Sequence, residues 1–404
     1  MTILQAETFQ LNPFVESMRP SATLAMSARA KQLKREGRPI IGLSAGEPDF
    51  DTPAPIAEAA RQAITDGFTH YTENAGMLEL REAICEKLRD DNGLSYGPEN
   101  VLCSNGAKQS VAQTILALCG PGDEVVIPAP YWVSYPEMTR LAGATPVVIR
   151  TTPESNYRLH PDQLADHLSP QTRLLILCSP SNPTGSVYGR DEMEAIARVL
   201  ADYPRVHVIS DEIYERIIYD ADFHSFGSVG DMKDRTITVN GFSKCYAMTG
   251  WRLGYLAART EIVRAAAKIQ SQFTSAPSSI SQKAGIAALR MEPEPISNMV
   301  AQFRQRRDFV LSEIERIPDL QCPRPEGAFY VFPDASRYLG RASQDRTISS
   351  STDLCLHLLE RHNVALVAGD AFGAPGGFRV SYAASMEDLE EAMRRIRVGL
   401  EELS

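Results

Sequence analysis

The sequence predicts an α/β protein in which a large, mostly parallel sheet with helices on both faces is followed by a smaller α+β domain. Between residues 101 and 257 of the 404-residue chain, short apolar runs rich in valine and isoleucine alternate with longer helical patterns, which is typical of βα units. The runs are apolar at successive positions, as expected for strands covered on both faces. The predicted strands are Val101–Ser104, Glu124–Ile127, Thr145–Ile149, Leu174–Cys178, Val206–Ser210, Thr236–Asn240 and Leu253–Ala257.

Helical periodicity predicts the elements that precede and separate these strands. An early pattern covers Ala22–Gly37, and because a lone amphipathic helix cannot bury its apolar face by itself, we expect it to pack against the C-terminal part of the chain. The first dozen residues are predicted to form a loose arm. The other predicted helices of this half are Pro55–Asp66, Leu78–Asp91, Lys108–Leu118, Asp191–Ala201 and Glu261–Ser271.

The pattern changes after Met291, where an EPEP segment interrupts it. A long helix, three separate strands and a final helix then predict a second, α+β domain, and a chain of this length exceeds what one core comfortably organises. We expect residues 1–45 to be an N-terminal arm and helix belonging to the small domain, 46–293 the large domain, and 294–404 the small C-terminal domain. The predicted C-terminal elements are Ile296–Ile317, Ala328–Phe332, Val364–Val367, Phe378–Ser381 and Met386–Glu401.

Composition and charge exclude several classes of partner. A net charge of −10 argues against nucleic acid, which requires a basic face. The seven cysteines are odd in number, scattered and without a CxxC pair, which indicates free thiols in a reducing compartment. The sequence contains neither a long uncharged apolar run nor an N-terminal secretion signal, so we expect a cytoplasmic protein without a membrane partner. The seven histidines lack metal-binding spacing, and no metal site is predicted.

Polar residues follow four of the predicted strands, and in an open parallel sheet ligands bind beyond the carboxyl ends of the strands. After the first strand, Gly106 and Ala107 stand just before a helix, whose backbone NH groups and dipole favour an anion such as phosphate. The alternative is an ordinary turn and helix start. After another strand, Asn182 lies in a Pro/Gly turn. Either this is an ordinary turn with no further role, or the Asn182 side chain donates to a ligand oxygen.

The remaining two strand ends carry charged side chains. Asp211 follows an apolar strand directly, with Tyr214 three residues later, and the alternative interpretation of Asp211 is a helix N-cap. Ser243 and Lys244 follow the next strand, with Arg252 eight residues after the lysine. A lone loop lysine is usually a solvated surface charge. Together, however, a phosphate-binding helix start, a carboxylate, hydroxyls and a lysine are what a phosphorylated pyridine aldehyde requires.

Several separated motifs, taken in order, resemble one known family over nearly the whole chain. SNPTG, SDEIY, SKCYAMTGWRLGY and FRVSYA are similar to the class I aminotransferases of pyridoxal phosphate (PLP) fold type I. AGEPDFDTP, YWVSYPEM and RPSAT further resemble the bacterial-type aspartate aminotransferases, a subgroup that includes prephenate aminotransferases. The resemblance implies a transamination between aspartate or glutamate and a 2-oxo acid such as 2-oxoglutarate or oxaloacetate, and also conversion of prephenate to arogenate.

The resemblance also implies the roles of individual residues around PLP. Lys244 is the Schiff-base lysine and proton shuttle, Asp211 pairs with the ring nitrogen, and burial with nearby positive charge depresses the pKa of such a lysine. Many relatives have a phosphate-binding serine where this chain has Gly241, which leaves Ser243 as the phosphate hydroxyl. The other implied contacts are Asn182 and Tyr214 on the phenolic oxygen, Trp132 on the ring face, and Gly106, Ala107, Ser243 and Arg252 on the phosphate.

The implied substrate contacts begin with Arg379, whose planar guanidinium suits the α-carboxylate, with Gly46 adding a backbone NH. The alternative for Arg379 is a surface strand charge. Lys108, assisted by Thr23 and Ser21, is expected to bind the distal carboxylate of a dicarboxylic substrate, the alternatives being a solvated lysine and, for Thr23, an N-cap. Tyr71 is expected to reach the phosphate of a neighbouring subunit, which implies a homodimer.

Other functions on the same fold stay open from the sequence. A PLP enzyme of aromatic or alanine specificity, or a β-eliminating carbon–sulfur lyase, would keep the cofactor and change the reaction. A PLP-sensing transcription regulator would need an added DNA-binding domain, and only about forty-five residues precede the predicted sheet.

Overall fold

The computed structural model of the chain describes residues 11–18, 20–343 and 346–404, so most of the predicted N-terminal arm lies outside the described residues. The helices formed by these residues are α1 (Pro13–Glu16), α2 (Ala22–Arg35), α3 (Ala54–Thr65), α4 (Leu78–Asn92), α5 (Ala107–Leu118), α6 (Ser134–Leu141), α7 (Pro161–His167), α8 (Arg190–Ala201), α9 (Thr260–Phe273), α10 (Ser279–Arg290), α11 (Glu294–Ile314), α12 (Ser351–His362) and α13 (Met386–Glu401). The strands are β1 (Ile41–Gly42), β2 (Val101–Ser104), β3 (Glu124–Ala129), β4 (Thr145–Arg150), β5 (Thr172–Cys178), β6 (His207–Asp211), β7 (Thr236–Gly241), β8 (Gly254–Ala257), β9 (Tyr330–Val331), β10 (Ala342–Ser343), β11 (Arg346–Thr347), β12 (Val364–Ala365), β13 (Val367–Ala368) and β14 (Phe378–Ser381).

All seven predicted strands of the large sheet are present, in the order β2-β8-β7-β6-β5-β3-β4. The pairs β4–β3, β3–β5, β5–β6 and β6–β7 are parallel, whereas β8 runs antiparallel to both of its neighbours. The expectation of a parallel unit was therefore wrong for Leu253–Ala257. A parallel return needs a crossover connection, usually a helix, but the loop from Gly241 to Gly254 contains only one 3₁₀ turn, so the chain comes back antiparallel.

Both faces of the sheet are covered, as the continuous apolar runs predicted. Val125 and Ile127 of β3 pack in a cluster with Ile115 of α5. Val126, which points the other way on the same strand, packs in a different cluster with Ile196 of α8. Since successive side chains of a strand face opposite sides, a strand between two helical layers has to be apolar at every position.

Five of the helices formed by the described residues were not anticipated from the sequence: α1, α6, α7, α10 and α12. The clearest case is α10, whose sequence SISQKAGIAALR has a central glycine that costs about 1 kcal/mol in a helix interior. The helix packs against α3 and α4, and a Cβ atom at Gly285 would lie 2.5 Å from a Leu253 methyl group, so the packing at this position favours glycine. Tertiary packing here outweighs the local cost of the glycine.

The C-terminal region contains a three-stranded antiparallel sheet in the order β13-β14-β9, and β1 pairs in parallel with β12. The single strand predicted at Val364–Val367 is in fact two strands, β12 and β13, that belong to different sheets. Helix α2 packs as predicted, since its Ala30 and Leu33 lie in one cluster with Leu359 and Ala365.

The division of the chain into domains at residues 46 and 294 stays a prediction. Among the helices described, none combines the length and apolar character that crossing a bilayer requires.

Candidate active site

The predicted site residues converge on one cavity of about 300 Å³ at the carboxyl ends of β5 and β6. Asp211 is the last residue of β6 and is paired in register with Cys178, the last residue of β5. The loops that leave these strand ends therefore meet at one edge of the sheet, as the placement rule for open parallel sheets predicts. The predicted residues that line the cavity are Ser21, Thr23, Gly46, Ala107, Lys108, Trp132, Asn182, Asp211, Tyr214, Ser243, Lys244, Arg252 and Arg379.

Lys244 extends into this cavity from the loop after β7, and its Nζ donates a hydrogen bond to the carbonyl of Gly46 at 2.5 Å. Burial lowers the pKa of Lys244 to about 8, and the positive charges of Arg379 and Arg252 act in the same direction. Glu47 opposes this shift. An amine with such a pKa is partly unprotonated near neutral pH, so Lys244 can act as a nucleophile or as a base.

Asp211 is only 5% exposed, and burial raises the pKa of its carboxyl group to about 6. Two donors oppose this shift: the Tyr135 hydroxyl bonds Oδ2 at 2.6 Å and the amide of Ile213 reaches Oδ1 at 3.4 Å. Residues 213–216, all described, form turns and not a helix, so the N-cap alternative for Asp211 is wrong. Tyr135 was missed in the sequence, although it lies one helical turn after Trp132 in the YWVSYPEM motif.

The start of α5 forms a cradle for an anion. Gly106 has a φ of 88°, and a Cβ atom built on it would lie 2.5 Å from Nη2 of Arg252. Among the described side chains, none caps the first turn of α5, so the backbone NH groups of Ala107 and Lys108 are available to a ligand, whereas those of Gly106 and Gln109 donate to carbonyls of the same segment. Arg252, Ser243 and Ala107 all line the cavity. This donor set fits a phosphate group.

Arg379 lies on β14, lines the cavity and is 2% exposed, so the surface-charge alternative is wrong. It donates to Asn182 Oδ1 at 2.9 Å and to the Ser44 carbonyl at 2.7 Å. Its buried Nε is without a hydrogen-bond partner within the described part of the chain. A buried donor left unpaired is costly, and a carboxylate is the ligand that a guanidinium best accommodates.

Tyr330, a second residue that the sequence did not reveal, links two predicted contacts. Its hydroxyl lies 3.0 Å from the Tyr214 hydroxyl, and its ring lies 4.5 Å below the guanidinium of Arg379. In the sequence Tyr330 is one aromatic residue within an apolar strand, a pattern that indicates core packing rather than a site. Only the fold places it next to Tyr214 and Arg379.

The entrance of the cavity is formed by the starts of α2 and α5. Lys108 Nζ lies 5.0 Å from the ring centre of Trp132, and burial together with Arg252 lowers its pKa. Ser21, rather than Thr23, is the N-cap of α2, because its hydroxyl accepts from the amide of Leu24 at 3.4 Å. The N-cap alternative for Thr23 is therefore wrong, and its hydroxyl reaches the cavity.

Tyr71 is the predicted residue that the chain does not bring to the cavity. It is 98% exposed. The cavity of the same chain offers no contact that would account for an aromatic side chain exposed to solvent at this position. Its predicted contact would have to be made with a second subunit.

Three possible metal ligands lie close together far from this cavity. Atoms of His357, His362 and Glu402 are within 4.8 Å of one another. His357 Nε2 lies 3.1 Å from the Gly399 carbonyl and His362 Nε2 lies 3.2 Å from the Glu402 carboxylate, contacts that join α12 to the end of α13. The absence of a metal site stays a prediction.

The arrangement of anion cradle, lysine and buried carboxylate fits PLP, and together with the sheet it defines a PLP-dependent enzyme of fold type I. The family model for aminotransferase class I and II matches residues 38–396, so the chain belongs to that family. It is therefore a PLP-dependent aminotransferase, as the sequence predicted.

Individual relatives agree with this assignment. A bifunctional aspartate aminotransferase and glutamate/aspartate-prephenate aminotransferase of Petunia hybrida is 54% identical over 96% of this chain and 82% of its own length. An aspartate/prephenate aminotransferase of Nitrosomonas europaea is 44% identical, over 96% of this chain and 98% of its own. The solved aspartate aminotransferase of Rhizobium meliloti is 42% identical with a TM-score of 0.95, covering 98% of this chain and all of that one. The Thermus thermophilus enzyme with maleate is 41% identical with a TM-score of 0.90, covering 97% and 100%. These structures confirm the predicted fold.

Proposed function

We propose that the enzyme transfers the amino group of aspartate or glutamate to 2-oxoglutarate or oxaloacetate, and that prephenate is a further acceptor, yielding arogenate. The observation that carries this proposal is a cavity lined by two cations besides those placed for the cofactor: the buried Arg379, whose Nε is unpaired among the described residues, and the exposed Lys108. Two such cations suit a substrate with two carboxylates. The names of the Petunia and Nitrosomonas relatives, and the maleate in the Thermus structure, support the same substrate class.

The cofactor supplies an electron-accepting ring that stabilises negative charge at the substrate α-carbon. Residues of this chain would hold it at both ends. Gly106, Ala107, Ser243 and Arg252 are placed for the phosphate. Asp211, as a carboxylate, would keep a nearby ring nitrogen protonated, since an opposite charge favours the charged form. Asn182 and Tyr214 would donate to the phenolic oxygen, and Trp132 would lie on the ring face.

Lys244 has two tasks in this proposal. Its Nζ would hold the cofactor covalently, and as a free amine the same atom would take the proton from the substrate α-carbon and hand it on. A pKa lowered to about 8 suits both tasks, because the amine gives up its own proton near neutral pH. A second oxo acid then takes the amino group by the reverse sequence of steps, so the kinetics are ping-pong.

Arg379 and the entrance select the substrate. Arg379 would bind the α-carboxylate with support from the backbone NH of Gly46, and its contact with Asn182 would hold the guanidinium in one orientation. Lys108, with the hydroxyls of Thr23 and Ser21, would bind the distal carboxylate. A substrate without that second carboxylate gains nothing from these entrance groups.

The deciding experiment is a panel of amino donors and oxo acids measured with the parent enzyme and with Lys108→Ala. Losing a charge-assisted hydrogen bond costs about 1.5 to 3 kcal/mol, so kcat/KM for aspartate, glutamate and prephenate should fall at least roughly tenfold while alanine and phenylalanine are spared. Lys31→Ala, which removes an exposed lysine of α2, is the matched control. An equal loss for every donor would contradict the distal-carboxylate role. Ammonia release without an acceptor would support the lyase alternative.

We further propose that the enzyme is a homodimer in the cytoplasm. The dimer is supported by Tyr71, which is 98% exposed and has its proposed phosphate partner only in a second subunit. A cytoplasmic location is supported by the seven cysteines, all of which lie in the described part of the chain and are free there. Sedimentation at high dilution tests the dimer, because a fully active monomer would contradict it.

A further inference from the structure

A buried cluster of charged and amide side chains lies behind the cavity, between α4 and the turn that follows β6. Lys87 and Asn92 belong to α4, whereas Glu212 and Glu215 belong to the turn. Their exposed fractions run from 1% for Glu212 to 8% for Lys87 and Glu215. Removing charges from water is costly unless they are paired and hydrogen-bonded, so a cluster of this kind calls for complete pairing.

The pairing is centred on Asn92. Its Oδ1 accepts a hydrogen bond from Lys87 Nζ at 2.6 Å. Its Nδ2 donates to Glu212 Oε2 at 3.0 Å and to Glu215 Oε2 at 2.9 Å. Lys87 closes the cluster with an ion pair to Glu215. The amide of one asparagine thus orients both carboxylates of the turn against α4.

Glu212 is held by further donors. The hydroxyls of Ser210 and Ser225 donate to its Oε1 at 2.9 and 2.7 Å, so together with Asn92 the carboxylate accepts three hydrogen bonds. Burial raises the pKa of Glu212 to about 7, and the charge of Glu215 acts in the same direction, while the serine donors oppose it. The side chain is therefore fixed on all sides although it does not reach the cavity.

The turn has two opposite faces. Asp211 and Tyr214 line the cavity, whereas Glu212 and Glu215, next to them in the chain, point back to α4. A rotation of the turn by a small angle would move all four side chains at once. The cluster at the back is therefore connected, through the backbone of this short segment, to the two side chains that line the cavity.

The same helix also reaches the loop that carries Lys244. Arg216, at the end of the turn, donates to Asp91 of α4 at 2.5 Å. Its guanidinium lies 5.8 Å from the ring centre of Tyr246, two residues after the lysine. The C-terminal end of α4 therefore contacts the turn after β6 directly and is linked to the Lys244 loop through Arg216.

We propose that Lys87, Asn92, Glu212 and Glu215 are positioning residues, which hold the turn from behind so that the Asp211 carboxylate and the Tyr214 hydroxyl meet the cofactor correctly. The proposal rests on the roles given above to Asp211 and Tyr214. Apolar residues of similar size often replace buried ion pairs without loss of stability. A requirement for one defined geometry of the turn therefore accounts for charged and amide side chains at these positions.

The test uses Glu212→Gln, which keeps the size of the side chain but offers an NH₂ group that cannot satisfy all three donors. In the PLP-loaded enzyme without substrate, the pH midpoint of the cofactor absorption band should shift, because Asp211 and Tyr214 are displaced. A displacement of about 1 Å costs up to roughly 100-fold in rate, so we expect kcat to fall about tenfold or more with KM changed less than about threefold. Ser225→Ala, which removes one donor and no charge, should do the same to a smaller extent.

The matched control is Lys283→Met, which removes the partly exposed ion pair between Lys283 and Glu79 on another face of α4. It should change neither the band midpoint nor kcat. Folded Glu212→Gln and Ser225→Ala enzymes with the parental band midpoint and kcat would overturn the proposal, as would a loss of melting temperature alone. Because Lys244→Ala tests the proposed function separately, an inactive Lys244→Ala enzyme beside unchanged Glu212 variants would reject only the positioning role.

Discussion

The floor and the entrance of the cavity differ in how their side chains are held. On the floor, Asp211 and Arg379 are 5% and 2% exposed and each makes at least two hydrogen bonds. At the entrance, Thr23 is half-buried and Lys108 is exposed, and both lie in the first turn of a helix. The floor residues come from strands and their adjoining loops, which rigid packing holds in place.

This difference separates the residues proposed for the reaction, on the floor, from those proposed for substrate selectivity, at the entrance. Burial lowers the pKa of Lys244 to about 8 and raises that of Asp211 to about 6, values useful near neutral pH. Lys108 at the entrance is more exposed than these two groups, although partial burial lowers its pKa as well, so it can meet a substrate charge at a smaller desolvation cost. Substitutions on the floor should therefore affect every substrate, and those at the entrance only acidic ones.

The largest effect is expected for Lys244→Ala. Without its amine the enzyme loses both the attachment point of the cofactor and the base, so kcat should fall by roughly 10⁴-fold for all donors. The cofactor absorption band should move to that of the unattached aldehyde, which spectrophotometry measures directly. Lys268→Ala, an exposed lysine on α9, serves as the control. A Lys244→Ala enzyme with ordinary turnover and an unshifted band would refute the proposed function.

The next effect is expected at Asp211. Removing a charge that stabilises the reacting group costs on the order of 10²- to 10³-fold, so Asp211→Ala should lower kcat by that amount for acidic and apolar donors alike. Asp211→Glu keeps the charge and should be impaired far less. Steady-state kinetics with aspartate and with phenylalanine measure both variants. Parental activity in both would mean that the Asp211 carboxylate has no part in the reaction.

Tyr135→Phe tests the floor of the cavity through the pH dependence of the activity. The hydroxyl donates to the Asp211 carboxylate and thereby favours its ionised form, so its removal raises the pKa of Asp211 above about 6. As the pH falls, the active, ionised form of Asp211 is then lost at a higher pH than in the parent enzyme. The acid limb of the kcat/KM profile should therefore move upward by about one pH unit. Tyr96→Phe, whose hydroxyl reaches only the Lys233 carbonyl among the described residues, should leave the limb in place. An unmoved limb in Tyr135→Phe would show that the hydrogen bond is not felt by the reaction.

The smallest effect is expected at the entrance, for Thr23→Val. A neutral hydrogen bond contributes about 0.5 to 1.5 kcal/mol, so kcat/KM for aspartate should fall roughly two- to tenfold, and that for phenylalanine should stay unchanged. Ser21→Ala provides the comparison, because it also removes the N-cap of α2 and should lower the melting temperature in addition. If Thr23→Val impaired both donors equally, the contrast between floor and entrance would fail.

Much of the large sheet and of the site could be predicted from local sequence. The seven strands are continuous apolar runs, and the residues after them stand out because buried strands do not need polar side chains. Helices such as α7 and α10 could not be predicted in this way, since α7 is short and α10 is interrupted by a central glycine. The direction of β8 depends on how its loop returns, which the strand's own residues do not encode.

The sequence by itself determined which side chains stand at the ends of the strands, because strand periodicity and strand ends are local properties. Only the tertiary structure decided which groups surround them. Asp211 and its donor Tyr135 are 76 residues apart in the sequence. Tyr214 and Tyr330 are 116 residues apart, and Arg379 and Asn182 are 197 residues apart. The pKa values follow from the same packing, because burial and neighbouring charges, rather than the type of residue alone, set the cost of ionisation.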